Sequence, residues 1–470
     1  MAFNLHNTLT RKKEEFVPLD DGKVRMYSCG PTVWDYAHVG NFRAYICVDV
    51  LKRYMLYKGS DVIHIMNITD VDDKIIERSV QEKKPFRKIT EFYTREFFHD
   101  SEQLRIKKAD LYPKATEHIS HMVRIIQQLM KNGHAYRSED GSVYYNIASF
   151  KDYGKLSHSK ISSLKAGARV KQDSYDKENA QDFALWKAWD REDGNVFWET
   201  ELGKGRPGWH IECSAMSMQY LGKTFDIHAG AIDLLFPHHE DEIAQSEAAT
   251  GKTFVRFFVE GEHLMVDGKK MAKSLGNVYT LRDLEAQGYD PLDFRYLVLG
   301  THYRTPLNFT GKGLDAARTA RGKLAQAIAS LRTCVGKSTL KEENEVLKVI
   351  AHGERKFRDA IADDLNTPKG LAVLHELVHY ANSIRRMGHC SERTSRMLVA
   401  AIAEFDRVLG LRIGDVKIAA IPEDIQKLVA QREQTRKQKQ RQESDRLRAE
   451  IQRRGYRVED TSRGTRIRRQ

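Results

Sequence analysis

Residues 24–68 read as strand, tight turn, helix and strand, and that order commits the chain to a parallel sheet. Val24 to Ser28 is an apolar strand pattern. Asn41 opens a helical run with apolar positions at Phe42, Tyr45, Ile46, Val48 and Leu51, extending to residue 57. A second strand pattern occupies 61–68. Such a βαβ unit places its ligand site outside the carboxyl ends of the strands. Between the first strand and the helix lies Pro31-Thr32-Val33-Trp34-Asp35-Tyr36-Ala37-His38-Val39-Gly40-Asn41. A helix N-terminus carries unpaired N–H groups and partial positive charge, which suits phosphate. Gly40 lets the backbone approach a ligand, and His38 and Asn41 add polar side chains there.

A second motif lies far along the chain: Lys270-Met271-Ala272-Lys273-Ser274, on an expected loop after the Asp267-Gly268 turn signal. Two ammonium groups three residues apart suit a leaving pyrophosphate. Between the motifs, 85–133 reads as a long helical stretch, followed by a hairpin with Asp140-Gly141 between Ala135-Tyr136 and Val143-Tyr144-Tyr145. The polar, weakly periodic segment 150–207 completes an expected insertion, about 110–207. The parallel fold resumes with helix 209–220, strand 224–229, helix 238–250 and strand 254–260. From about 312 only helical patterns remain, over 314–333, 341–361, 366–388 and 391–409, which predicts a bundle. A small tail at 421–470 begins with a helix and ends in a turn-rich stretch around Glu459–Thr465.

The 470 residues, 41% hydrophobic and 30% charged, suit a soluble multidomain protein. No run of about 18 apolar residues is present, and the first residues lack a signal-peptide pattern. Five scattered cysteines are not a disulfide framework, so a reducing cytoplasm is the expected setting. The net charge is +12, and residues 421–470 hold 15 Lys and Arg against 8 Asp and Glu, or +7. That excess suits a phosphate backbone, although a solvated charge-rich helix has the same composition.

The two motifs resemble the HIGH and KMSKS signatures of class I aminoacyl-tRNA synthetases. The whole layout is similar to the cysteinyl-tRNA synthetase family. The matching segments include Tyr27-Ser28-Cys29-Gly30-Pro31-Thr32-Val33, Asn67-Ile68-Thr69-Asp70-Val71-Asp72-Asp73-Lys74 and Arg206-Pro207-Gly208-Trp209-His210-Ile211-Glu212-Cys213. Phe236-Pro237-His238-His239-Glu240-Asp241-Glu242 and Asp363-Asp364-Leu365-Asn366-Thr367-Pro368 continue the match. Asn41 stands where the first signature ends in His, and Ala272 replaces the middle Ser of the second.

The resemblance implies a Rossmann-type α/β catalytic domain over 1–311, with its signature-loop region at about 262–311. It further implies a tRNA-binding helical bundle at 312–410 and a small basic anticodon-region domain at 421–470. His38, Asn41, Lys270 and Lys273 would be catalytic, with Gly40 and Ser274 joining them at ATP, which brings Mg²⁺. Thr69, Trp209, His228 and Asp233 would line the cysteine pocket. One zinc per chain would sit on Cys29, Cys213, His238 and Glu242. Their chemistry agrees, since thiolates, an imidazole and a carboxylate all bind zinc, and His238 and Glu242 share one helix face at i and i+4. With no CxxC pair, the residues alone are a weak metal signal, and by themselves Cys29 and Cys213 read more readily as small buried side chains. His239 and Glu240 are expected to face elsewhere.

The implied activity is ATP-dependent activation of L-cysteine and transfer to the 3′ ribose of tRNA(Cys). A monomer without membrane contact is the expected state. Two rivals share parts of this pattern. A ligase joining activated cysteine to an aminosugar would have the same catalytic domain and zinc but no use for a basic tail. A non-catalytic RNA-binding paralogue would not need both lysines, His38 and four metal ligands.

Overall fold

The structure, a computed structural model, describes residues 2–159, 182–272, 275–415, 422–461 and 464–469. Its centre is a four-stranded parallel sheet built from two distant stretches of chain. The first supplies β1 (Lys23–Ser28), α1 (Val39–Tyr57) and β2 (Asp61–Met66). The second supplies α2 (Trp209–Leu221), β3 (Phe225–Ala231), α3 (Glu240–Thr250) and β4 (Val255–Gly261). The strand order is β4–β3–β1–β2. From β1 the chain goes first to β2 on one side and later to β3 on the other, so the switch point lies between β1 and β3. There Ile227, His228 and Ala229 pair with Met26, Tyr27 and Ser28. Helix α1 buries most of its surface, including Phe42, Ile46 and Leu51, as expected for a helix covered on more than one side.

Between the two stretches lies a five-stranded sheet of Ala135–Arg137, Val143–Tyr145, Phe183–Ala188, Gly203–Pro207 and Trp198–Thr200, in that spatial order. The expected hairpin is present. The segment 150–207, weakly periodic in sequence, supplies three of these strands. Phe183, Ala184, Leu185 and Trp186 are all buried, so both faces of that strand are covered and no alternation marks it. Residues 160–181 lie outside the described residues.

The expected single helical stretch at 85–133 is instead two helices, Phe86–Gln103 and Ile119–Lys131. Between them the chain runs extended beside β2, where Met66 N–H donates to Leu111 O and Ile68 N–H to Pro113 O. Pro113 has no N–H of its own, which favours such a crossing over a helix.

The helices Gly311–Arg332, Leu340–Ala362, Thr367–Met387 and Glu392–Leu409 form the bundle expected from their apolar spacing, with Phe357 and Phe405 stacked at 4.3 Å. Buried side chains from this bundle and from one face of the parallel sheet form one continuous core. Asp49 of α1 bonds Arg53 at 2.7 Å and Arg295 at 2.5 Å, and Arg295 Nε donates to Leu409 O at the bundle's end.

Residues 415–470 form a separate compact unit. It holds two helices rather than one, Glu423–Lys437 and Arg441–Arg453, then an antiparallel hairpin of Tyr456–Thr461 and Gly464–Arg469. Ile425, Val429, Ile451 and Val458 make its small core.

Candidate active site and metal centre

The first motif closes on itself. His38 is the N-cap of α1; its Nδ1 accepts from Asn41 N–H, while Asn41 Oδ1 accepts from His38 N–H. This reciprocal cap fixes both side chains at the helix N-terminus. Asn41 makes it with an amide, which explains how the departure from His is accommodated. A Cβ on Gly40 would meet His38 Nδ1 at 3.0 Å and Met271 Cε at 3.2 Å. Gly40 therefore keeps the two signatures in contact.

The second motif follows a tight hairpin. Leu264–Val266 pairs with Lys269–Lys270 around Asp267 and Gly268, whose φ values are 47° and 76°. Lys270 thus ends a short strand rather than sitting in a loop, and it is exposed. Asn277 holds the next residues, accepting from Ala272 N–H and donating to Lys270 O. Val39 N–H donates to Tyr279 O, tying the far end of this segment to α1. Lys273 and Ser274 lie outside the described residues.

Cys29 leaves the carboxyl end of β1, and Cys213 lies on α2. His238 lies in an irregular turn, Leu235–His239, that leads into α3, and Glu242 sits in the first turn of α3. The four side chains are buried, with ligand atoms all within 4.8 Å of one another. The two sulfurs are 3.8 Å apart, Cys29 Sγ lies 3.7 Å from Glu242 Oε1, and His238 Nε2 lies 3.1 Å from the same oxygen. A tetrahedral zinc with bonds of about 2.3 Å to sulfur separates its sulfurs by about 3.8 Å. The donor set and its spacing therefore fit zinc. Burial lowers the His238 pKa well below the ordinary value. Burial works against the Glu242 carboxylate, but the imidazoles of His228 and His238 hold its pKa down to about 2. Burial also pushes both thiols up.

The cysteine-pocket residues divide. Trp209 lies face-on to His238, with centroids 4.3 Å apart and 19° between planes. His228 is fully buried, with Nε2 2.9 Å from Glu242 Oε2. Thr69 donates to Glu212 Oε2 and accepts from Asn67 Nδ2, so it is fixed in place. Asp233 is different. Its side chain is 60% exposed beside His263, outside the buried cluster. Beyond Trp209 opens a cleft of about 910 Å³, lined in part by Thr32, Asp73, Lys187 and Arg206.

One sequence expectation is corrected. His239 does not face away: its Nε2 lies 3.4 Å from Cys29 Sγ. Phe236 is extended, with φ −138° and ψ 126°, and the turn after it is wider than an α-helix. The 100° spacing that separates neighbours on a helix therefore fails here, and His238 and His239 both point inward. Glu240 does serve elsewhere, accepting N–H bonds from Gly154, Leu156 and Ser157. Sequence reasoning also missed Glu212, fully buried under Thr69, and His210, whose Nδ1 lies 2.9 Å from His238 Nδ1. A charged residue in an otherwise apolar helix stretch, such as Glu212, was the available signal.

Comparison with known proteins agrees with this geometry. The model for tRNA synthetases class I (C) catalytic domain matches residues 15–319. The DALR domain model matches 356–413, and that for the cysteinyl-tRNA ligase anticodon binding domain matches 419–468. The cysteine–tRNA ligase of Chlamydia pneumoniae is 46% identical over 465 residues, covering 98% of this chain and 97% of that protein. That of Solibacter usitatus is 45% identical over 473 residues, covering 100% of both. Among solved structures, Mycobacterium tuberculosis methionyl-tRNA synthetase in complex with methionyl-adenylate superposes with a TM-score of 0.62. It covers 83% of this chain and 92% of that one at 12% identity, a likeness of fold alone. Among the described residues no helix is long and apolar enough to cross a membrane. Family models and whole-length relatives lead to the same conclusion: this chain belongs to the cysteine–tRNA ligase family of class I aminoacyl-tRNA synthetases.

Proposed function

We propose that this chain activates L-cysteine with ATP and transfers it to the 3′ ribose of tRNA(Cys). The observation that carries the reading is the buried set Cys29, Cys213, His238 and Glu242. Its Cys29 lies on the same βα connection as the capped N-terminus of α1, beside the switch point of the parallel sheet.

In the first step the cysteine carboxylate attacks the α-phosphate of ATP in line, forming cysteinyl-adenylate and releasing pyrophosphate. His38 and Asn41 hold the N-terminus of α1 in shape, so the positive end of its dipole would face the transferring phosphate. Lys270 and Lys273 neutralise the leaving pyrophosphate, and ATP would enter with Mg²⁺. In the second step a terminal ribose hydroxyl attacks the adenylate carbonyl and AMP departs. The positioning of reactants supplies much of the acceleration.

Cys29, Cys213, His238 and Glu242 would hold zinc, which when bound takes the substrate sulfur as thiolate and so separates cysteine from serine and alanine. Trp209 closes the pocket over His238, and Thr69 and His228 line it. Asp233, exposed beside His263, would join them, as the family likeness implies. The cleft beyond Trp209 gives the tRNA terminus room to enter.

Residues 1–311, including the insertion at about 110–207, carry the chemistry; 312–410 dock tRNA, and 421–470 read the anticodon region. A single chain supplies every residue of the site, so a monomer suffices. Five free cysteines suit a reducing cytoplasm. The aminosugar ligase is disfavoured by the match of 419–468 to an anticodon binding domain. The test is charging of tRNA(Cys) with labelled cysteine. Acid-stable label on intact tRNA is expected, and release of activated cysteine to an aminosugar acceptor instead would overturn the reading.

A further inference from the structure

The buried donors around Cys29 exceed the four proposed ligands. His239 also approaches Cys29 Sγ, with Nε2 at 3.4 Å. Its other ring nitrogen, Nδ1, lies 2.8 Å from Glu260 Oε1 on β4. Both side chains are essentially inaccessible, His239 at 0% and Glu260 at 4%. A buried carboxylate is costly without a partner, so its placement against one imidazole nitrogen fixes the ring plane and leaves the other nitrogen aimed at the sulfur. The neighbouring strand makes room for this. Gly230 of β3 faces the ring, and a Cβ there would lie 2.7 Å from His239 Cε1. On the remaining side His228 packs against the ring, with centroids 4.3 Å apart.

We propose that His239 and Glu260 are positioning residues that orient Cys29 for metal binding. Glu260 orients His239, and His239 Nε2 hydrogen-bonds the Cys29 sulfur. The inference rests on the metal site proposed above and adds a second layer to it. Buried groups that orient a ligand are a general feature of metal sites, and removing one weakens metal affinity about 10–100-fold. The pair also separates His239 from His238. His238 Nε2 faces Glu242 Oε1 within the proposed set, whereas His239, which with Cys29, His228 and Glu242 forms a second group of donors within 4.8 Å, makes its shortest contact with the set at Cys29 sulfur.

The test uses the full chain and its His239→Gln and Glu260→Gln variants. Each is loaded with Zn²⁺ against a competing chelator and, separately, with Co²⁺ to read the sulfur-to-cobalt charge-transfer band. Far-UV circular dichroism selects folded preparations. The expected result is one metal per chain in all three, with affinity about 10–100-fold weaker in both variants and a shifted band. A smaller loss in Glu260→Gln than in His239→Gln, with both bands shifted, also supports the pair, because Gln can still accept the His239 N–H. Unchanged affinity and band in both variants, while the parent chain binds metal, would overturn the inference alone. Complete loss of binding in His239→Gln with Glu260→Gln unaffected would make His239 a ligand and overturn it too. A parent chain that binds no metal would overturn the metal site itself. If His239→Gln does not fold, Glu260→Gln decides the matter, because Glu260 touches no proposed ligand.

Discussion

His228 Nε2 lies 2.9 Å from Glu242 Oε2, and neither side chain has any exposure to solvent. The two carboxylate oxygens are thereby divided. Oε2 belongs to His228, and Oε1 faces Cys29 and His238. A residue that the family likeness assigns to the amino-acid pocket, and that lies mid-strand in β3, thus also bonds a proposed metal ligand. Replacing His228 with Ala should raise the KM for cysteine at least tenfold and leave the KM for ATP within about twofold. Steady-state pyrophosphate exchange with each substrate varied in turn measures both.

The lysines of the second signature should act on the transition state. Lys273→Ala is expected to lower kcat for pyrophosphate exchange by about 10²–10³-fold, the effect of removing one preorganised donor from developing charge. Cysteine affinity, set elsewhere, should change little. Equilibrium binding of labelled cysteine beside the exchange rate tests this, and an unaltered rate would remove the assigned role.

Asp49 joins α1 to Arg53 and Arg295 at a buried junction with the end of the bundle. Burial raises its pKa, but Arg295 and Arg53 outweigh burial and hold it below the usual carboxylate value. A depressed folded-state pKa contributes stability above the unfolded value, near 4, and loses it as pH falls through the folded value. Asp49→Asn should therefore cost about 3–5 kcal/mol at pH 7, because two guanidinium groups lose their partner. The gap between parent and variant should narrow below about pH 4. Urea titrations across pH 3–7 would show this, and a gap independent of pH would contradict it.

The separate unit at 415–470 leads to a prediction about the substrate. Truncation before Ile421 should leave cysteine activation nearly intact and weaken tRNA charging. Each lost phosphate contact should also flatten the log–log salt dependence of tRNA binding by about 0.9 for duplex or 0.7 for single strands. Exchange, charging and binding on the same truncated chain at several salt concentrations measure all three. Equal loss of exchange and charging would make the tail a folding element.

The parallel core was legible because its apolar runs have the length of strands and helices and are separated by turn residues, even where, as in β3, burial is nearly continuous. Sequence reasoning misjudged the chain where tertiary contact replaces periodicity. The crossing between the two helices is extended around 111–114 because it bonds there to the end of β2, a partner far from it in sequence. The strand Phe183–Ala188 shows no alternation because both its faces are buried. Within the site, Cys29 and Cys213 are 184 residues apart, so their meeting at 3.8 Å was implied only by family likeness. His239 was misread for a local reason: the irregular turn Leu235–His239 breaks the helical spacing on which its orientation was judged.

The central claim is that buried thiol and imidazole donors beside the first signature select cysteine for activation. Pyrophosphate exchange with cysteine, serine and alanine, before and after chelation of metal from the purified chain, tests it most directly. The account predicts exchange with cysteine at least about 10⁴-fold more efficient than with serine or alanine, beyond what an apolar pocket achieves. That preference should fall after chelation and return with Zn²⁺. Comparable exchange with serine, or full cysteine activity in a metal-free preparation, would contradict it.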